Sequence, residues 1–276
     1  AGNRPRIGAV AGLGDVFTSW SIKALMLRPL VRLALRLALG GKRARLILQN
    51  PDDIALFKSA RLARPDHLRL IPGSGVDLTR FKPSEAAAER TSSDPFYIVL
   101  PARLLWAKGI AEWVAAAEKL KYTHPRVVLL LAGESDPGNP DAVPVENLKA
   151  WHEAGIIDWL GKVDCMPALF QSVHSVALPS FYGEGVPKSL IEAAACALPL
   201  ITTDMPGCRE VVTHERDGLL IPPRDSVALA AAIARLAENP ALCQQLGAAA
   251  RRRALAEFDE KIVIEKTLGV YTELCN

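Results

Sequence analysis

Apolar residues fall in short continuous runs separated by longer amphipathic stretches over most of this 276-residue chain. From Phe96 onward, "FYIVLPAR" reads as a strand, residues 108–124 as a helix and "RVVLLLAG" as a second strand. A long loop leads to helix "VENLKAWHEAG", strand "IIDWLG", helix "MPALFQSV" and strand "SVALPS". The stretch "GEGVPKSLIEAAA" opens another helix, followed by strand "LPLITTD", helix "GCREVVT" and strand "GLLIPP". Helices over residues 226–238, 240–257 and 259–274 close the chain. Runs that are apolar throughout, rather than alternating, predict strands buried on both faces and so a parallel sheet with helices on either side. Right-handed crossovers put every strand-to-helix loop on one edge of such a sheet, where ligands bind.

The first 80 residues hold fewer elements. "RIGAVAGLG" reads as a strand and turn, residues 30–39 as a helix, "ARLILQN" as a strand, residues 51–59 as a helix and "LRLIPGSG" as a strand. These could cover only part of a sheet, which predicts an incomplete N-terminal α/β lobe over residues 1–84. The small, polar, proline-bracketed stretch "FKPSEAAAERTSSDP" is the linker candidate, and a second lobe follows over residues 85–257.

Composition narrows the class. Half the residues are apolar and 23% are charged, as in a globular protein. The net charge of +3 gives no ground for a nucleic-acid partner. Cys165, Cys196, Cys208, Cys243 and Cys275 form no CxxC pair and no zinc spacing with histidine. They read as reduced, small buried apolar residues of a cytoplasmic protein, with no metal expected. No run is long enough to span a bilayer. "AGNRPRIGAV" lacks a signal-peptide core and starts without Met, as in a trimmed chain. One basic stretch stands out, "SIKALMLRPLVRLALRLALGGKRARL", with no acid between Asp15 and Asp52. Arg28, Arg32 and Arg36 are spaced along one side of a helix with leucines around the rest. Two readings stay open: a core helix with a solvated arginine stripe, and a helix for an anionic membrane surface.

The candidate chemistry sits in "EGVPKSLIE", where Glu184 lies in a glycine-rich turn and Glu192 in the following helix. Pro187 near the first helical position costs no hydrogen bond. The N–H groups of residues 185–189 would then face out at the positive end of a helix dipole, with Lys188 and the Ser189 hydroxyl beside them: an anion site. Two carboxylates there would repel an anion unless they face neutral hydroxyls attached to it. A sugar joined to a nucleoside through a diphosphate satisfies both demands. "PARLLWAKGI" places Arg103 after a strand and Lys108 at the next helix start, on the same edge, a fork and a flexible ammonium suited to a diphosphate.

These segments resemble a known family. "RLLWAKG", "EGVPKSLIEAAACALPLITTDMPGCREVV" and "DGLLIPPRD" are similar to the nucleotide-sugar-binding lobe of the family 4 retaining glycosyltransferases. "LIPGSGVDLTRFKP" resembles the segment entering that lobe, and "FDEKIVIEKTLGVYTELC" the last helix, residues 258–276, which crosses back to the first lobe. The resemblance runs from about Arg45 to the end and implies a GT-B fold with a Rossmann-like donor lobe. It implies Arg103 and Lys108 on the donor diphosphate and Glu184 on the transferred hexose. Gly185, Val186, Pro187 and Lys188 would meet hexose and phosphates, with Ser189 beside them. Glu192 would hold the ribose hydroxyls, and Leu160 to Val163 would lie against the base. The donor would be a UDP-sugar, the acceptor a glycan or a lipid-linked glycan, and no metal or other cofactor would be needed. The loop "GESDPGNPDAVP" and the segment "GLGDVFTS" are closest to bacterial enzymes building lipid-linked oligosaccharides, which implies a cytoplasmic protein, peripheral on the inner face of the membrane.

The sequence departs from the family in its first lobe. Nothing before Arg6 supplies the glycine-rich strand-turn-helix that approaches the donor, and none of the five histidines stands at the family's histidine position. Two readings follow: a retaining glycosyltransferase, and a lobe that binds a nucleotide sugar without transferring it. A nucleotide-sugar epimerase of the same fold has no support, since no acid and base are placed for proton abstraction.

Overall fold

The computed structural model describes residues 5–11, 22–39, 41, 43–84 and 94–275, and only the backbone of residues 22–25 and 39. The "GLGDVFTS" segment, Lys42 and most of the linker lie outside the described residues.

Two parallel sheets organise the chain. Strands β1 (Arg6–Val10), β2 (Ala44–Leu48) and β3 (Leu68–Leu70) form a three-stranded sheet in that order. Between them run helices α1 (Ile22–Leu39) and α2 (Pro51–Ser59). The larger sheet uses β4 (Phe96–Pro101), β5 (Val127–Ala132), β6 (Asp158–Gly161), β7 (Ser175–Leu178), β8 (Leu200–Thr203) and β9 (Leu219–Ile221). Its order is β6-β5-β4-β7-β8-β9. Successive residues Val99 and Leu100, Leu130 and Leu131, and Leu200 and Ile201 are all buried, because helices cover both faces. The covering helices are α3 (Ile110–Thr123), α4 (Val145–Glu153), α5 (Met166–Ser172), α6 (Lys188–Ala195), α7 (Ser226–Glu238) and α8 (Pro240–Glu257). The strand order reverses between β4 and β7, and in open α/β sheets the crevice at such a reversal is where ligands sit.

The small sheet is covered on each face by a different helix. Leu46, Leu48 and Leu68 pack with Phe57 of α2, while Ile47 and Ile71 pack with Val263 and Val270 of the last helix, α9 (Glu260–Cys275). Alternation along β2 thus sends neighbouring side chains to opposite faces. The α9 helix is fixed further where Arg45 Nε and Arg69 Nε donate to the Glu273 carboxylate at 2.8 and 2.9 Å.

Several elements differ from the sequence expectation. "GCREVVT" is not a helix but a series of turns. Gly207 takes φ +83°, where a Cβ would collide with the carbonyls of Glu184 and Gly185, so this segment follows the neighbouring loop instead of coiling. The expected helix from residue 108 starts at Ile110, after a short 3-10 turn over Trp106–Lys108. Gly109 at φ +80° separates the two, pressed against the Pro179 carbonyl. Helix α1 begins earlier than expected and runs through Pro29. Its Met26, Leu27, Leu30, Leu33 and Leu37 are exposed, so it is not a core helix among the described residues. Two cysteines, Cys165 and Cys275, are exposed rather than buried.

Candidate functional site

The loops that leave β4 and β7 face each other across the strand reversal. The first carries Arg103 and Lys108, the second Ser180 and Glu184. Lys108 Nζ forms an ion pair with Glu184 Oε1, the two side chains being 14% and 15% exposed. Ser180, fully buried, donates its hydroxyl to the same carboxylate oxygen at 2.9 Å. Phe181 N–H reaches the Ala107 carbonyl at 3.1 Å, which ties the loops together through the backbone. From the β8 side, Thr203 Oγ1 donates to the Ser180 carbonyl. Cys208 lies deep beneath, its thiol pushed up to about 11 chiefly by burial.

A cleft of about 260 Å³ opens at the ends of β4 and β5. Ala102 after β4, Gly133 and Glu134 after β5, Lys162, Val163 and Met166 after β6, and Ser189 and Glu192 of α6 line it. Glu192 is 14% exposed, with Lys188 Nζ 3.8 Å away. Burial raises its carboxyl above the ordinary value, against the opposing pull of Lys188 and Arg80.

The anticipated site residues are therefore brought to one edge, in two groups. Lys108 and Glu184 pair directly, while Ser189, Glu192 and Val163 line the cleft. Arg103 stands apart on the rim, 68% exposed and 3.9 Å from Asp136 Oδ2. Lys188 is exposed, whereas Gly185, Val186 and Pro187 are buried. Helix α6 starts at Lys188 with Pro187 as its N-cap, next to the first helical position as expected. One expectation needs correction. The Val186 N–H does not face out into an anion site, because Gln49 Oε1 accepts it at 3.0 Å. The Leu160 side chain is 41% exposed on β6, which leaves a backbone contact of this strand with the base untouched.

Residues 81–253 match the model of the glycosyl transferases group 1 family. The chain belongs to this family. Among its relatives, a glycogen synthase of Mycobacterium tuberculosis is 31% identical over 200 residues, 72% of this chain and 47% of that protein. The chain thus spans about half the length of that relative. The N,N'-diacetylbacillosaminyl-diphospho-undecaprenol alpha-1,3-N-acetylgalactosaminyltransferase of Campylobacter jejuni is 27% identical over 275 residues, 96% of this chain and 70% of that protein. Among solved structures, Anabaena HepE in complex with UDP superposes with TM-score 0.80 at 22% identity, over 98% of this chain and 72% of that one. Sucrose-phosphate synthase of Thermosynechococcus elongatus gives TM-score 0.78 at 26% identity, over 97% and 67%. The two-sheet architecture is accordingly that of the GT-B glycosyltransferases.

In this group 1 glycosyltransferase chain, sequence reasoning missed Ser180, Gln49, Asn50 and Gly207. Asn50 carried a readable signal, since Asn before Pro51 marks an N-cap, and its Oδ1 does accept the Asp53 N–H at 2.7 Å. Ser180 sits at the end of an apolar strand, where only the fold shows that it faces Glu184. Gln49 and Gly207 carried no local signal.

Proposed function

We propose that the chain carries the donor site of a retaining glycosyltransferase that moves a hexose or N-acetylhexosamine from UDP to a glycan or lipid-linked acceptor. The observation that supports this best is that the Lys108–Glu184 pair and the Glu192-lined cleft lie at the same edge of the large sheet. The cleft is smaller than the ~300–1,000 Å³ of typical ligand pockets. It therefore suits the nucleoside end of a longer ligand, with Glu192 accepting from ribose hydroxyls and Val163 against the base. The diphosphate would lie between Arg103, Lys108 and the start of α6, where guanidinium, ammonium and helix N-terminus all offer positive charge. The hexose would then lie over Glu184.

In transfer, the bond from the anomeric carbon to the diphosphate oxygen breaks and a bond to the acceptor hydroxyl oxygen forms. The hydroxyl proton leaves for the departing phosphate. Negative charge grows on UDP, so Lys108 and Arg103 stabilise the transition state more than the ground state. Lys108 already neutralises Glu184, so a hydroxyl that takes over the carboxylate frees the ammonium for the phosphate. Glu184 positions the sugar and need not form a covalent bond. A lipid-linked acceptor is favoured because the Campylobacter relative is named for a diphospho-undecaprenol substrate, and because the exposed apolar face of α1 gives a surface for peripheral attachment at the inner face of the membrane.

Proton NMR of the products formed from UDP-glucose and UDP-N-acetylhexosamines tests the reading. Release of UDP with the anomeric configuration of the donor kept is expected. Inverted product contradicts the retaining mechanism. Intact UDP binding with no release would favour the second reading, a lobe that holds a nucleotide sugar without transfer.

A further inference from the structure

The turn at residues 184–186 is gripped from both sides. On one side, Gly207 leaves room for the carbonyls of Glu184 and Gly185. On the other, Gly185 meets the small sheet, where a Cβ would collide with the Ala11 carbonyl and with Gln49 Oε1. The glycine is thus required here by the approach of the first lobe. Two side chains just after β2 make the contact. Gln49 Oε1 accepts the Val186 N–H at 3.0 Å, and Asn50 Nδ2 stands 3.5 Å from the Glu184 carbonyl, the long limit for a hydrogen bond.

The orientation of both amides follows from their partners. A backbone N–H can only donate, so the Gln49 oxygen must face Val186. Asn50 is fully buried, and its Oδ1 is committed to the Asp53 N–H while Nδ2 donates to the Asp53 carboxylate at 2.9 Å. Asn50 is therefore locked as the N-cap of α2, and Gln49 beside it carries the shorter bond across the lobes. None of the residues lining the nucleoside cleft is Gln49.

We propose that Gln49 is a positioning residue for sugar transfer: holding the Val186 N–H from the first lobe, it fixes the shape of the Glu184 turn. The inference rests on the reading of Glu184 as the hexose contact. Nucleotide binding should be indifferent to Gln49, and the step that handles the hexose should not.

The test compares Gln49→Met, of similar length without the acceptor, with Gln49→Glu, which keeps an acceptor oxygen for Val186. For each, UDP affinity is measured by calorimetry, together with kcat for hydrolysis of UDP-glucose and UDP-N-acetylhexosamines, water taking the hexose. Both variants should keep UDP affinity within about twofold, while Gln49→Met lowers kcat by roughly tenfold, the upper range for one neutral hydrogen bond, and Gln49→Glu recovers most of it. A wild-type kcat in Gln49→Met, UDP affinity falling in step with kcat, or no recovery in Gln49→Glu would each overturn the inference. Wild-type protein that binds UDP but releases no hexose overturns it too, since no transfer then remains to be positioned. Wild-type protein that binds no UDP instead refutes the donor site itself.

Discussion

Glu192 and Glu184 were one motif in the sequence and have two environments in the fold. Glu184 is met by an ammonium and a serine hydroxyl, and Glu192 lies in a cleft wall where burial outweighs the pull of Lys188 and Arg80. The raised pKa of Glu192 gives a pH signature. On the proposed role its ionised form would accept hydrogen bonds from two ribose hydroxyls, so UDP affinity should fall as pH drops through that pKa. The fall should begin above the ordinary glutamate value of 4.5, and Glu192→Gln should flatten that part of the profile in calorimetric titrations. A wild-type profile unchanged down to the ordinary value would remove Glu192 from the ribose. At this scale the sequence showed which residue types converge, because each sits beside a glycine, a proline or a strand end. It could not show that Arg103 turns to Asp136, or that Val186 is already bonded to a residue 137 positions away.

Elements were legible where one physical rule dominated. Burial on both faces makes β4, β5, β7 and β8 continuous apolar runs, so they could be read without a partner in view. The segment at residues 207–213 reads as helical in sequence, yet Cys208, Val211 and Val212 are buried in the core around turns that follow Gly207. The docking of α9 supplies a second pH test. Arg69 and Arg45 hold the Glu273 carboxyl at about 2, below its ordinary 4.5. A carboxyl depressed on folding stabilises the fold above its unfolded value and loses that contribution as pH falls towards the folded one. Glu273→Gln should therefore lower the melting temperature at pH 7, and the gap to wild type should close between about 4.5 and about 2. A gap of constant size would mean that the ion pairs do not anchor the helix. Helix α1 gives a third test. Met26, Leu30, Leu33 and Leu37 stand one turn apart on an exposed face, beside exposed Arg32. Flotation should recover the protein with vesicles containing anionic lipid in preference to neutral ones, and high salt should weaken the recovery. Equal recovery from both would contradict electrostatic attachment.

At the scale of the whole molecule, the site is formed where two sheets approach. The large sheet supplies the loops after β4 and β7, and the small sheet presses on the turn between Glu184 and Val186 through Ala11 and Gln49. Among the described residues, α9 packs on the small sheet, its entry fixed by Val76 N–H to the Phe258 carbonyl at 2.8 Å and Glu260 N–H to the Val76 carbonyl at 3.1 Å. The family resemblance anticipated a helix returning to the first lobe, but local patterning could not, because the contacts of α9 with β2 and β3 span more than two hundred positions. On the proposed reading, this edge binds a nucleoside diphosphate through charges and carboxylates on separate elements. Calorimetric titration of UDP into the chain, beside Glu192→Ala and Arg103→Ala, tests it most directly. Saturable binding that both substitutions weaken, by roughly tenfold for loss of a charge-assisted hydrogen bond, is the predicted result. UDP binding untouched by either substitution, or no binding at all, would contradict the site as assigned.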